Sequence, residues 1–258
     1  MKKLAVVFAT TCALLFAQPK TQKDFERYFL PTTGDTITIH KIDSMRIFLK
    51  NNGWDGKTFE SWLRTVNEIA KLFPYNYDTP DAHITWEDAV EYGGLCVNFS
   101  VFNATAAEAG KVEYVMAVIR GAYVDLDRKG NVMGLRPALT GEGHMICFVL
   151  GNDENIYAGS RGLKEVKGDT VDGLRIWDYS EGTKNAVIYP LLKSWPEGVG
   201  HGTNVLASYF KWALENNQIV KINTDNLNKN AWRKTWLITL EYLKRGYIII
   251  FTRGEDIW

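Results

Sequence analysis

Cys96 and His144 are the residues of this chain whose types and settings best suit nucleophilic chemistry. Cys96 follows Gly93-Gly94-Leu95 at the start of a long apolar segment, and His144 begins a later apolar run. A thiol at the first turn of a helix is favoured as the thiolate, because unpaired N–H groups and the helix dipole stabilise an anion there. A histidine that meets this thiol in space can take up and return its proton. The pair therefore predicts a cysteine nucleophile with a histidine base.

The elements around this pair follow from the hydrophobic pattern. The segment after Cys96 is apolar on most sides and predicts a central, buried helix that ends at Gly110. A β-rich run at Tyr114–Ile119 follows, and His144–Leu150 and a segment beginning at Asn155–Ala158 predict the next two strands. The preceding glycines are expected to bring the backbone close to a substrate and to help direct N–H groups at an oxyanion, with the Cys96 N–H as one donor.

Further elements are predicted on both sides of this core. Upstream, a helix at Ser44–Asn51 is followed by an amphipathic helix from Phe59 that Pro74 ends, and Thr85 with Asp88 forms a capping box for a short third helix. Asp125 to Gly130 is interpreted as a hairpin turn in a polar loop. Downstream, the pattern predicts strands and helices at Asn185–Leu192, Val205–Glu215, Lys229–Lys244 and Tyr247–Thr252.

The N-terminus has the pattern of a secretory signal peptide. Lys2 and Lys3 precede an apolar or small stretch from Leu4 to Ala17, which is too short to span a bilayer. We therefore predict a signal peptide over residues 1–17 and a secreted or periplasmic protein without membrane association after cleavage. Cys12 leaves open a lipoprotein, although the residues before it match that pattern poorly.

The overall composition excludes several classes of function. The chain has 258 residues, of which 46% are hydrophobic, so it can bury a large core. Thirty basic and thirty acidic residues cancel, which gives no reason to expect a nucleic-acid partner. No phosphate-binding glycine motif and no metal-ligand spacing of Cys and His is present, so no cofactor and no metal are predicted.

The segment Trp86 to Phe99, with Gly94-Leu95-Cys96 near its end, resembles the nucleophile region of the transglutaminase-like superfamily. Ala109-Gly110 is similar to the end of that family's central helix, and Gly143-His144-Met145-Ile146 resembles its His-bearing strand. The resemblance covers roughly Trp62 to Ser160, and the bacterial transglutaminase-like cysteine peptidases are the most similar group.

The resemblance implies an α+β fold with a transglutaminase-like (papain-like) core, in which a central Cys-bearing helix packs on an antiparallel sheet. It implies that Cys96 is the nucleophile and that His144 is the general base and later the acid. The expected organisation is a core at 18–162, followed at 163–258 by a helical C-terminal elaboration of the same domain or a small second subdomain. The expected activity is that of a cysteine hydrolase or acyltransferase that forms a Cys96 thioester with a protein, peptide or cell-wall amide.

One departure from the family keeps a second function open. The family orients its histidine with an Asp on the next strand, near Ala158-Gly159-Ser160, and no Asp occurs there. Ser160 is the nearest polar candidate for the third site residue. The alternative is a catalytically degenerate module that keeps the fold and binds a peptide or polysaccharide.

The remaining cysteine and histidines have simpler interpretations. After removal of the signal peptide, Cys96 and Cys147 could pair in an oxidising compartment, as in a structural envelope protein. Strand alternation opposes this pairing, because it places Cys147 on the opposite face of its strand from His144. His201 is expected in an exposed loop, and no partner is evident for His40 or His83.

Overall fold

The computed structural model describes residues 39–76, 85–137, 143–180, 182–191 and 203–254, with the backbone alone for Pro137 and for 203–208. The predicted signal peptide lies outside these residues, as do His83 and His201. Within the described part of the chain, no helix has both the length and the apolar character needed to cross a membrane.

Four helices come first in the described chain, a run of strands follows, and helices and strands alternate only in the C-terminal part. The helices are α1 (Ile42–Asn51), α2 (Phe59–Leu72), α3 (Trp86–Tyr92), α4 (Cys96–Gly110), α5 (Thr203–Glu215) and α6 (Lys229–Lys244), with a 3₁₀ helix at Ile176–Tyr179. The strands are β1 (Glu113–Leu126), β2 (Val132–Pro137), β3 (His144–Leu150), β4 (Ile156–Gly159), β5 (Lys164–Glu165), β6 (Thr170–Val171), β7 (Leu174–Arg175), β8 (Asn185–Leu191), β9 (Ile219–Asn223) and β10 (Ile248–Thr252).

The main sheet has the strand order β5-β4-β3-β1-β8-β10-β9, and β2 pairs with the second half of β1. Most neighbours are antiparallel, but β9 and β10 run parallel. Strands β6 and β7 form a separate two-stranded hairpin. The fold is therefore α+β with a mixed sheet.

Alternate residues of the central strands face two different helical layers. On β3, Met145, Cys147 and Val149 belong to the core that also contains buried side chains of helices α1 to α5. Ile146 and Phe148 face the opposite core, which contains α6 and the 3₁₀ helix. This period of two is what a strand buried on both faces must have, because successive side chains point to opposite sides.

The structure confirms several element predictions and corrects two features of the expected fold. Helix α4, strand β3 and helix α6 have the predicted bounds, and the Thr85–Asp88 capping box is present. The sheet is not purely antiparallel, because the connection from β9 to β10 passes through α6 and returns in the same direction. The C-terminal part is not only helical, since β8, β10 and β9 extend the same sheet.

Candidate functional site

Cys96 is the first residue of α4 and is partly exposed, whereas most of that helix is buried. The loop before it is held by two backbone hydrogen bonds: the Gly94 N–H donates to the Pro74 carbonyl (3.1 Å), and the Asn76 N–H donates to the Gly94 carbonyl (3.1 Å). As the first N–H of a helix, the Cys96 N–H has no intrahelical acceptor and faces the positive end of the helix dipole.

The two glycines before Cys96 serve close backbone packing. Gly93 and Gly94 have φ of +74° and +147°, which side chains with a Cβ rarely adopt. A Cβ on Gly93 would lie 2.2 Å from the Pro74 carbonyl oxygen, and one on Gly94 would lie 2.4 Å from the Asn98 side chain. Their own N–H groups donate to the carbonyls of Ala89 and Pro74, so they are engaged within the loop. The Cys96 N–H remains the candidate oxyanion donor.

We predict that Gly94→Ala destabilises the fold by about 1–2 kcal/mol more than Gly168→Ala does. Both positions have positive φ, but a Cβ on Gly168 meets no atom within 4 Å. The difference therefore combines the collision with Asn98 and the greater backbone strain at φ +147° than at the φ of +59° of Gly168. Asn98 Oδ1 accepts the Leu95 N–H (3.0 Å) and so shapes the start of α4. Urea unfolding of the two variants measures it, and equal losses would contradict the packing role.

His144, the first residue of β3, has its imidazole ring between the cysteine and a carboxylate. Its Nε2–H donates to Asp172 Oδ2 (3.0 Å), and the ring also hydrogen-bonds with the Cys96 thiol. Because Nε2 is engaged by Asp172, Nδ1 is the ring nitrogen left for Cys96. The ring stacks on Tyr179 of the 3₁₀ helix, with centroids 5.3 Å apart and planes inclined by 10°. These contacts fix both the tautomer and the plane of the imidazole.

Asp172 lies in the two-residue turn between β6 and β7 and is the site residue that the sequence analysis missed. Its Oδ2 accepts three hydrogen bonds, from His144, from the Ser160 N–H (3.0 Å) and from the Ser160 hydroxyl (2.9 Å). Lys164 Nζ lies 3.7 Å from its Oδ1. The available signal was Asp172-Gly173, a pair typical of tight hairpins; both residues have positive φ, as such turns require. Asp172 lies twelve positions after Ser160 in the chain. The spacing of the strands near Ser160 therefore gave no indication that Asp172 belongs to the site.

Ser160 lies at the site, but its role differs from the expected one of accepting the His144 N–H. It follows β4 and is buried, and its N–H and hydroxyl both bind Asp172. The structure therefore brings Ser160 to the site as a support for Asp172, and the group that accepts the His144 N–H is the Asp172 carboxylate.

The charges of this array reinforce one another. Burial alone would lower the pKa of His144, but the hydrogen bonds with Asp172 and Cys96 outweigh it and raise the pKa to about 9. Burial alone would raise the pKa of Asp172, but the bonds from His144 and Ser160 outweigh it and lower the pKa. Both shifts favour an imidazolium beside a carboxylate at neutral pH.

A polar stripe on α4 connects the nucleophile to the segments that carry the other site residues. The stripe consists of Cys96, Ser100 and Asn103, which share one face of the helix by their spacing of four and three residues. Ser100 Oγ donates to the carbonyl of Met145, next to His144 (3.0 Å). Asn103 Nδ2 donates to the carbonyl of Ser160 (2.6 Å) and to that of Gly159 (3.2 Å). The same helix thus holds the thiol, the start of β3 and the end of β4.

The other cysteine and the described histidine away from the site have structural roles. Cys96 and Cys147 are both free thiols, so they do not form the disulfide considered above. Cys147 is fully buried. It lies on the face of β3 opposite to that of His144, as strand alternation predicts, and burial raises the pKa of the Cys147 thiol. His40 does have a partner: its Nε2 lies 2.8 Å from Glu87 Oε2, and Lys41 also pairs with Glu87.

Comparisons with known proteins add no assignment. No protein-family model matches the chain, and searches of curated proteins and of solved structures found no significant match.

Proposed function

We propose that this chain is a transglutaminase-like cysteine hydrolase or acyltransferase that acts on an amide bond and is exported to the periplasm or the cell exterior. The observation that carries the proposal is the hydrogen-bonded series of Cys96, His144 and Asp172 at the N-terminus of a buried helix. A nucleophile, a base and a group that orients the base are the parts that covalent acyl transfer needs. The proposal of export rests on the signal-peptide pattern in the sequence.

In the first half of the proposed reaction, the Cys96 thiolate attacks the carbonyl carbon of the amide. The carbonyl oxygen becomes an oxyanion, and the Cys96 N–H is placed to donate to it. When the tetrahedral intermediate collapses, the C–N bond breaks and the His144 imidazolium gives its proton to the departing amine. The products are a free amine and a thioester on Cys96.

In the second half, water or a second amine attacks the thioester carbonyl. His144, now neutral, takes a proton from the attacking group and becomes imidazolium again, and the C–S bond breaks to release the Cys96 thiolate. Asp172 keeps the imidazole in one orientation throughout and stabilises its cationic form whenever His144 is protonated. Attack by water gives a carboxylic acid, and attack by an amine gives a new amide.

The alternative function, a degenerate binding module, depended on the missing Asp near Ser160. Asp172 supplies a carboxylate at that place from the β6–β7 turn. This contact supports the enzymatic proposal over the binding module.

We expect His144→Ala to lower the rate of Cys96 alkylation at pH 7 by about tenfold. His144 has a pKa of about 9, so its cation remains beside the sulfur over the whole range from pH 6 to 8. Cys96 should therefore be alkylated faster in the wild type than in the variant at every pH in this range, because only the wild type has a cation beside the sulfur. Iodoacetamide labelling followed by mass spectrometry of the Cys96 peptide gives both profiles.

His40→Ala is the matched control for this experiment, because His40 bonds to Glu87 instead of to Cys96. Cys147 provides an internal reference for a buried thiol. If His144→Ala and the wild type have the same alkylation profile, Cys96 and His144 do not act as a pair and the proposed mechanism is wrong.

A further inference from the structure

The turn that follows β4 forms a fixed wall beside the candidate site. Ser160 at its start binds Asp172, and Leu163 near its end exchanges two hydrogen bonds with the Asn67 side chain of α2 (2.6 and 3.0 Å). Between them, Arg161 donates to the carbonyls of Ala70 and Lys71 at the C-terminal end of α2. The position of this wall is therefore set by α2 and by Asp172 together.

Two basic side chains belong to this wall: Arg161 in the turn, and Lys164 at the first position of β5, directly after the turn. The Arg161 guanidinium lies over the ring of Tyr75, 5.4 Å from its centroid. Tyr75 is 54% exposed, and its ring packs edge-on against Phe99, one turn after Cys96 on α4. Lys164 donates to the Asp172 carbonyl (3.3 Å), and its side chain is 60% exposed.

The charges of this wall are only partly balanced. Within the described residues, no carboxylate pairs with Arg161, whose acceptors are neutral carbonyls. Among the carboxylates of the described residues, Lys164 pairs with Asp172, which already accepts the hydrogen bond of His144. Among these residues, the ion-pair state of the site therefore has three cations, Arg161, Lys164 and His144, and two anions, the Cys96 thiolate and Asp172. An uncompensated positive charge next to a nucleophile attracts anionic substrates.

We propose that the substrate carries a carboxylate close to the amide that Cys96 attacks, and that Lys164 and Arg161 receive it. The exposed face of Tyr75 supplies an apolar surface for the part of the substrate between the carboxylate and the amide. This inference rests on the proposed function and adds the substrate class to it. An acidic peptide, or a peptide that ends in a free carboxylate, meets this description.

Two alkylating reagents of nearly equal shape test the inference without a known substrate. Iodoacetate is anionic and iodoacetamide is neutral, so the ratio of their rates at Cys96 reports the local charge. We expect Lys164→Gln to lower the iodoacetate-to-iodoacetamide ratio by about threefold at low salt, as for an exposed charge pair. Arg161→Gln should add a similar factor, but Lys164 is the cleaner position because Arg161 also binds the end of α2.

Lys221→Gln is the matched control, because Lys221 lies on β9 and Lys164 on β5, at opposite edges of the main sheet. A ratio that is the same in wild type, Lys164→Gln and Arg161→Gln overturns the proposed substrate class while leaving the mechanism standing. A Cys96 that reacts with both reagents no faster than in urea contradicts the proposed function, and the substrate class is rejected with it.

Matched peptides then separate the two sources of the carboxylate. One pair differs by Glu or Gln beside the target amide, and the other by a free or an amidated C-terminus. The proposal requires that one anionic member be cleaved or transferred faster than its neutral partner, and that Lys164→Gln reduce this preference. Equal rates within both pairs overturn it.

Discussion

Asp172→Asn is expected to lower the rate of Cys96 acylation by about 10²- to 10⁴-fold, because an amide of the same shape cannot stabilise the imidazolium. Asp172 Oδ2 accepts the His144 Nε2–H at 3.0 Å, and Ser160 would still hold the substituted side chain in place. The variant should therefore fold and yet lose most of its reactivity. Single-turnover labelling of Cys96 by an activated ester or amide measures the rate.

The same substitution should change the titration of His144. Without the carboxylate, only the interaction with Cys96 opposes the effect of burial, so the pKa of His144 should fall from about 9 toward its ordinary value of 6.5. Since the folded-state pKa is raised in the wild type, the stabilising interaction is fully present below about pH 6.5 and is lost as the pH rises through 9. The lowered pKa of Asp172 means that this stabilisation is also lost in acid, below about 3.8.

The difference in unfolding free energy between wild type and Asp172→Asn should therefore be largest between about pH 4 and 6.5 and should shrink toward pH 9. Asp169→Asn is the matched control, since Asp169 precedes the same hairpin and pairs with Arg175. Asp169→Asn should leave the acylation rate within about threefold of the wild type. A similar loss in both variants, or an unchanged His144 titration in Asp172→Asn, would show that Asp172 does not orient the base.

The nucleophile and the base could be found from the sequence because their signals are local. A thiol after two glycines at the start of an apolar segment marks the first turn of α4, and an apolar run after a glycine marks β3. Asp172 could not be placed in this way. It comes from a hairpin outside the main sheet, and its approach to His144 depends on contacts with Ser160.

In the C-terminal part of the sheet, individual helices and strands could be predicted from the sequence, but the order and direction of the strands could not. Helix α6 and strand β10 have clear patterns, whereas β9 is a short, partly exposed edge strand without strict alternation. Whether β10 pairs parallel or antiparallel with its neighbours depends on contacts between distant segments, which periodicity does not encode. For the same reason the extent of the sheet past residue 162 could not be predicted.

Asn103→Leu is expected to destabilise the protein by about 2–3 kcal/mol and to lower Cys96 reactivity by at least about tenfold. Asn103 is fully buried, and its Nδ2 binds the carbonyls of Ser160 and Gly159. Leucine has a similar size but leaves these carbonyls without that donor. Because Ser160 holds Asp172, the end of β4 should move and loosen the hydrogen bond between Asp172 and His144.

Thr105→Val on the same helix is the matched control for this effect. Thr105 is also fully buried, but its hydroxyl donates to the Val101 carbonyl of its own helix (2.8 Å) and bonds to no other element among the described residues. It should therefore lose some stability without changing the pH profile of Cys96 alkylation, whereas Asn103→Leu should shift that profile toward that of His144→Ala. If both variants lose stability but keep the wild-type profile, Asn103 contributes only to the core. If only Asn103→Leu shifts the profile, then the helix that carries the nucleophile also sets the position of its base, through the bonds from Asn103 to Ser160 and from Ser160 to Asp172.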